Sequence, residues 1–240
     1  MRKFIVASAF IAALPSVSAA EEASPFSANV SITSDYAYRG ISQTDEKPAL
    51  QGGFDFKHDS GLYVGVWGSS ISWLRDAETD VSSSNSVELD LYVGYSKSFG
   101  DFGIDAGILR YGYPGSFGRR WRNDTGLENP NTTEGYVGAS WKFVSFKYSH
   151  AFTDLFGTPD SKGSDYFDLS FSHEVIENLT LDAHVGKQRI LGPGKSYLDW
   201  QLGATYTLAG FDLGLHYVDT DIEHEDLADS RVIFSISRSF

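Results

Sequence analysis

The chain has 240 residues, a formal charge of −13 and no cysteine. An acidic balance of this size leaves no basic surface to neutralise phosphates, which excludes nucleic acid as a partner. The missing thiols exclude disulfide staples and the usual soft-metal ligands.

Residues 1–20 read as a secretory signal. Arg2 and Lys3 give the positive start, Phe4 to Leu14 the apolar run, and Ser18-Ala19-Ala20 a small-residue cleavage site. The run is too short for a spanning helix and is followed at once by Pro15. Loss of Arg2 and Lys3 with the signal takes the formal charge from −13 to −15. Residues 21–240 then form one domain, with no linker between its repeating segments.

Beyond the signal, apolar residues alternate instead of running together. In Val87–Ser96 the residues Val87, Leu89, Leu91, Val93 and Tyr95 share one face, against Glu88, Asp90, Tyr92, Gly94 and Ser96. The stretches beginning at Phe167, Leu179 and Leu198 repeat this, and a period of two is a strand signal. Strands are expected near 28–39, 49–58, 62–73, 86–99, 102–113, 132–143, 144–153, 165–175, 179–188, 196–208, 211–218 and 230–240. Each is close to the ~10 residues that cross a bilayer at a tilt. From Leu62 the apolar positions switch face at Trp67, Ile71 and Trp73, a pattern that leaves room for a bulge. Phe143-Val144-Ser145 lacks good turn residues.

Connections alternate between tight and long. Asp59-Ser60-Gly61, Gly100-Asp101, Ile176-Glu177-Asn178 and Ala209-Gly210 are hairpin turns. Between them lie the polar links 74–85, 114–131, 155–164, 189–195 and 219–229. That order predicts an all-β, up-and-down antiparallel transmembrane barrel of about 12 strands, with short periplasmic turns and long extracellular loops. Aromatic residues cluster beside the tight turns, as an interfacial girdle would, among them Phe54, Phe56, Phe99, Phe102, Trp141, Phe211 and Phe240. A soluble sandwich accounts for the alternation but not for the girdle. In the last strand Val232, Phe234, Ile236, Arg238 and Phe240 share the apolar face, and Phe240 is read as a membrane-assembly signal.

Ser34-Asp35-Tyr36-Ala37-Tyr38-Arg39-Gly40-Ile41-Ser42, Pro48-Ala49-Leu50-Gln51-Gly52-Gly53, Gly61–Ser69 and Glu88–Tyr95 follow one another in order. This series resembles the TorF-family porins of proteobacteria, also called the Gcw_chp family, most specifically over Ala28–Tyr95. The resemblance implies an outer-membrane barrel and a channel, and brings no functional residues with it. Arg238 departs from the Tyr common two residues before the terminal Phe of such barrels.

Parity places Glu88, Asp90, Glu134, Asp168 and Asp199 on the inner face near the outer mouth, with Arg39 and Arg231 opposite them. This predicts a pore lined by Asp35, Arg39, Glu88, Asp90, Glu134, Asp168, Asp199 and Arg231. Its transverse field would favour cations. The competing arrangement is a salt-bridged plug, with Asp35 and Glu88 neutralising the two arginines. The inward glycines Gly53, Gly94, Gly138, Gly186, Gly203 and Gly214 are expected to leave space in mid-barrel. Arg119-Arg120-Trp121-Arg122 reads as a solvated loop able to fold inward or to hold lipopolysaccharide phosphates. The acidic run Asp219–Asp226 lacks the ligand spacing of a calcium loop. His150 and His173 fall on the lipid face with no serine flanking them on that same face beside an orienting carboxylate, which leaves only partners from neighbouring strands, and His184 and His216 point inward beside Asp182 and Asp212. No nucleophile–base–orienter set emerges, so no catalysis and no cofactor are expected. The expected function is passive, cation-preferring diffusion of small hydrophilic solutes or ions through the outer membrane of a Gram-negative cell. Expected partners are outer-membrane lipid, lipopolysaccharide, the barrel-assembly machinery and the solutes themselves. The alternative is a closed barrel, serving envelope structure or lipid-face hydrolysis.

Overall fold

The computed structural model describes residues 24–76 and 85–240. The expected signal and part of the 74–85 link lie outside the described residues. The strands, in chain order, are β1 (Phe26–Thr33), β2 (Ala37–Tyr38), β3 (Ile41–Ser42), β4 (Ala49–Lys57), β5 (Leu62–Ser70), β6 (Val87–Phe99) and β7 (Phe102–Gly112). They continue with β8 (Thr132–Trp141), β9 (Val144–Ala151), β10 (Asp165–Ile176), β11 (Leu179–Arg189), β12 (Tyr197–Leu208), β13 (Phe211–Thr220) and β14 (Arg231–Ser239). Among the described residues only two short α-helices occur, α1 (Trp73–Asp76) and α2 (Arg119–Thr125).

All strands except β2 and β3 join into one closed antiparallel barrel of twelve. Each barrel strand pairs with its sequence neighbour, and β1 closes the ring against β14. Phe240 takes part in that closure: its amide donates to the Ala28 carbonyl at 2.8 Å, and the Ala28 amide returns a bond at 3.1 Å. The barrel sheet itself therefore has no free edge to seek another chain.

The two faces are inverted relative to a soluble protein. Leu89, Leu91 and Val93 are exposed on the outside, while their alternates Glu88 and Asp90 are 2% and 0% exposed. The same inversion runs round the ring through Leu169, Leu202, Leu215 and Phe234. A continuous apolar exterior is stable only in a hydrocarbon solvent, and a closed sheet leaves no backbone group unpaired there. This is a transmembrane barrel. At the short-turn end Phe26 packs on Phe54 and Phe56, with ring centroids 5.7 and 5.1 Å apart. Arg238 holds its guanidinium over Phe211 and Phe240 at 5.0 and 5.3 Å, a snorkelling geometry suited to the interface.

The outward face sets one prediction. Leu202 sits in the middle of β12 and is 61% exposed, so Leu202→Arg is expected to destabilise the barrel by about 2–4 kcal/mol. Its inward neighbour Gln201→Arg should cost clearly less. Urea titration of refolding into lipid vesicles measures both.

Three expected boundaries move. The first strand ends at Thr33 and not near 39, because the chain turns into the lumen there. β5 contains no bulge: its pairing with β6 is regular from Leu62 to Ser70. Trp67 is simply an inward residue of that strand, and Ile71 and Leu74 are buried beneath the loops after it. The β8–β9 connection is a two-residue turn at Lys142-Phe143, made possible by a positive φ of 54° at Lys142. That conformation is uncommon for lysine, and the sequence did not advertise it.

Candidate functional site: the lumen mouth

The bore is narrowed at the long-loop end by the segment between β1 and β4. Tyr38-Arg39-Gly40-Ile41 is a hairpin turn joining β2 to β3, with φ of 47° at Arg39 and 80° at Gly40. Two consecutive positive values are what a tight two-residue turn requires, and glycine supplies the second without strain. The tip so formed crosses the barrel. Arg39 Nη2 donates to Glu134 Oε2 of β8 at 2.7 Å, and Nη1 donates to Gln188 Oε1 of β11 at 2.6 Å. Its guanidinium lies 4.2 Å from the Tyr166 ring centre on β10 and 4.9 Å from that of Tyr38. Counted round the ring, β8 and β10 each lie five strands from β1 along the shorter arc, so the contact reaches the opposite wall.

The base of the segment is fastened as firmly. Asp35 Oδ2 accepts from Arg231 Nε at 2.6 Å, and Oδ1 accepts from Ser42 and Thr44 hydroxyls at 2.6 and 2.8 Å. Arg231 also donates to the Gly40 carbonyl at 2.9 Å. Both arginines are therefore engaged, Arg231 with Asp35 and Arg39 with Glu134, while Glu88 meets neither. Arg39 belongs to the hairpin tip and not to the first strand.

The remaining sequence-derived residues fall into two groups. Asp168 accepts from His184 Nδ1 at 3.0 Å and from the Ser170 hydroxyl, while Asp199 accepts from Tyr166 at 2.9 Å and faces His184 Nε2 at 3.5 Å. So the acids on β10 and β12 share one histidine, and His216 pairs with Asp182 at 3.3 Å. Asp212 instead accepts from Thr207 at 2.6 Å. Glu88 accepts from the Tyr36 hydroxyl at 3.3 Å, and Asp90 has no hydrogen-bond partner at either oxygen.

Inward tyrosines are what parity reading undervalued. Tyr36, Tyr111, Tyr113 and Tyr136 are buried with Trp67, Leu109 and Trp121 in a cluster inside the mouth. Tyr38 and Tyr111 join hydroxyls at 2.7 Å, and Tyr111 donates onward to Glu134 at 3.3 Å. A phenol suits such a wall because its ring packs while its hydroxyl still finds a partner. Tyrosines also occupy space expected to be free. A Cβ at Gly94 would collide with the Tyr63 ring end, and one at Gly186 with the Tyr166 hydroxyl. These glycines make room for neighbouring side chains, not for solute.

Trp121 is buried and donates to the Glu128 carbonyl at 2.7 Å, so its loop packs onto the mouth while Arg119 and Arg122 remain exposed. On the outer face, His150 Nδ1 lies 2.7 Å from Asp165, a carboxylate from the neighbouring strand that also bonds Tyr148 and Arg189. Asp165 therefore orients His150, but among the described residues no serine is hydrogen-bonded to it. The described residues also hold no group of three or more His, Asp or Glu able to bind a metal ion.

Solved structures of similar architecture include porins and an outer-membrane channel. The KdgM porin matches with a TM-score of 0.57 at 8% identity, covering 89% of this chain and 99% of that one. The NanC porin gives 0.52 at 12%, covering 88% and 97%. The COG4313 outer membrane channel from Pseudomonas putida F1 gives 0.52 at 15%, covering 98% and 100%. Identities this low speak for the fold alone. No curated protein matches the sequence. The family model described as "Bacterial protein of unknown function (Gcw_chp)" matches residues 19–240, and with nearly the whole chain inside it the protein belongs to the Gcw_chp family.

Proposed function

We propose that the protein is an outer-membrane channel of a Gram-negative cell for small hydrophilic solutes or ions, with a preference for cations. The observation that carries this reading is the inverted barrel itself, an apolar exterior round an interior lined by carboxylates, hydroxyls and tyrosines. An interior of that kind is stable when hydrated, and a hydrated bore is a path for solute. The likeness of Ala28–Tyr95 to TorF-family porins supports the same reading. In this scheme the short turns face the periplasm, lipopolysaccharide meets the long-loop rim, and the assembly machinery engages the Phe240 strand.

Cation preference follows from the balance at the mouth. Arg39 and Arg231 are cancelled by Glu134 and Asp35, leaving Glu88 and Asp90 without a base. The KdgM porin has been solved with oligogalacturonate, a polyanion. A wall with surplus carboxylates repels such a solute, so the shared fold does not transfer that substrate.

The hairpin spanning the bore favours one second reading, a barrel closed at rest. Recordings of the refolded protein in a planar bilayer under a salt gradient separate the two. Discrete conductance steps with a cationic reversal potential support the channel; sustained silence leaves a closed barrel with a role in envelope structure.

A further inference from the structure

We infer that Glu88 and Asp90 form a binding site for a divalent metal cation in the lumen wall. This names a solute class for the channel proposed above and rests on that reading, although the binding itself does not depend on conductance. The two carboxylates sit at alternate positions of β6 and so share the inner face, roughly 7 Å apart along the strand. Their cross-strand neighbours on that face are Ser69 and Trp67 of β5 and Tyr111 of β7. Tyr36 closes over the pair from the hairpin, packed edge-on against Trp67 at 5.5 Å.

Charge at this spot is uncompensated. Tyr36 at 3.3 Å and Tyr113 offer Glu88 only phenol hydroxyls, the Glu88 and Asp90 carboxyls meet each other, and Asp90 is fully buried with no donor at either oxygen. The two arginines that reach into the bore here are committed elsewhere, Arg39 to Glu134 and Arg231 to Asp35. A buried carboxylate without a partner is among the costliest groups a protein can hold, so the ionised pair requires positive charge from outside the chain.

Oxygen donors and two negative charges define the occupant as a hard divalent cation such as Ca²⁺. Two carboxylates make a thinner site than a resident calcium loop, in keeping with the absence of a larger ligand cluster among the described residues. The affinity then belongs in the weak range of extracellular calcium modules, Kd about 10⁻⁴–10⁻³ M. A cation held that loosely can leave again, as permeation requires.

The test uses the full mature barrel in detergent, with thermal unfolding followed by tryptophan fluorescence and by heat-modifiable migration. CaCl₂ is titrated to ~10 mM at constant ionic strength, so that specific binding appears as a rise in melting temperature. The expected result is a saturable upward shift of several degrees that NaCl does not reproduce. Asp90→Asn should abolish it and Glu88→Gln reduce it. Asp212→Asn, at the far end of the barrel, should keep it in full and shows that a conservative carboxylate change leaves the barrel foldable. No Ca²⁺ response in the wild type, or an undiminished one in Asp90→Asn, overturns the site. So does a wild type that is stabilised by lowering pH and indifferent to Ca²⁺, since a shared proton then supplies the missing charge. A Ca²⁺ response in a barrel that never conducts keeps the site and defeats the channel; conductance without a Ca²⁺ response does the reverse.

Discussion

Arg39→Ala is expected to raise single-channel conductance several-fold, or to turn a silent barrel into a conducting one. The Arg39 fork is the tip contact of the hairpin, joining it to Glu134, Gln188 and the Tyr166 ring on the far wall. Arg39 and Glu134 side chains are 6% and 3% exposed, so the pair is shielded from water. Breaking a buried pair by removing one member costs about 3–5 kcal/mol. At ~1.4 kcal/mol per tenfold, the balance between docked and released hairpin moves by roughly two to three and a half powers of ten. Arg39→Lys keeps the charge but loses the planar fork, and should fall between wild type and alanine. The barrel ladder is untouched by either change, so heat-modifiable migration should persist. An Arg39→Ala channel with wild-type conductance would mean that the hairpin does not obstruct the path.

Glu88→Gln combined with Asp90→Asn is expected to move the reversal potential toward anions. In a tenfold KCl gradient a perfectly cation-selective pore reverses ~59 mV from zero, which sets the scale. The wild type should sit on the cationic side, and the double variant should reach zero or pass it. The reason is local arithmetic of charge: the other acids at the mouth face a base or a histidine, so this pair dominates the field. Burial strengthens the effect, since a low-dielectric wall screens charge poorly. An unchanged reversal potential removes the pair from the ion path.

Much of the barrel is legible because its signals are local. Val87, Leu89, Leu91 and Val93 show which way β6 faces within seven residues, and Gly100-Asp101 or Ala209-Gly210 mark a hairpin in two. The inward position of Glu134, Asp168 and Asp199 needs nothing beyond such parity. The end of β1 was less legible. Tyr36 and Tyr38 continue the spacing of a strand, and the turn at Arg39-Gly40 carries only one of its two expected signals, a glycine. Trp67 misled for a different reason. A tryptophan on a polar face reads as a register fault, whereas the mouth accepts aromatic rings that bury their edges among loops.

Sequence alone determined the strand number, the inside and outside of most strands, the short and long ends, and the acidic interior, because each depends on a period of two and on turn chemistry. Only the tertiary structure decided which charges cancel. Arg39 meets Glu134 across 95 residues and Arg231 meets Asp35 across 196, pairings produced by ring closure and by a hairpin folded into the bore. Neither has a local signature, because contact across a lumen depends on how many strands close and how far each is staggered. That is why Glu88 and Asp90, indistinguishable in sequence from the other inward acids, emerge as the pair left without a base.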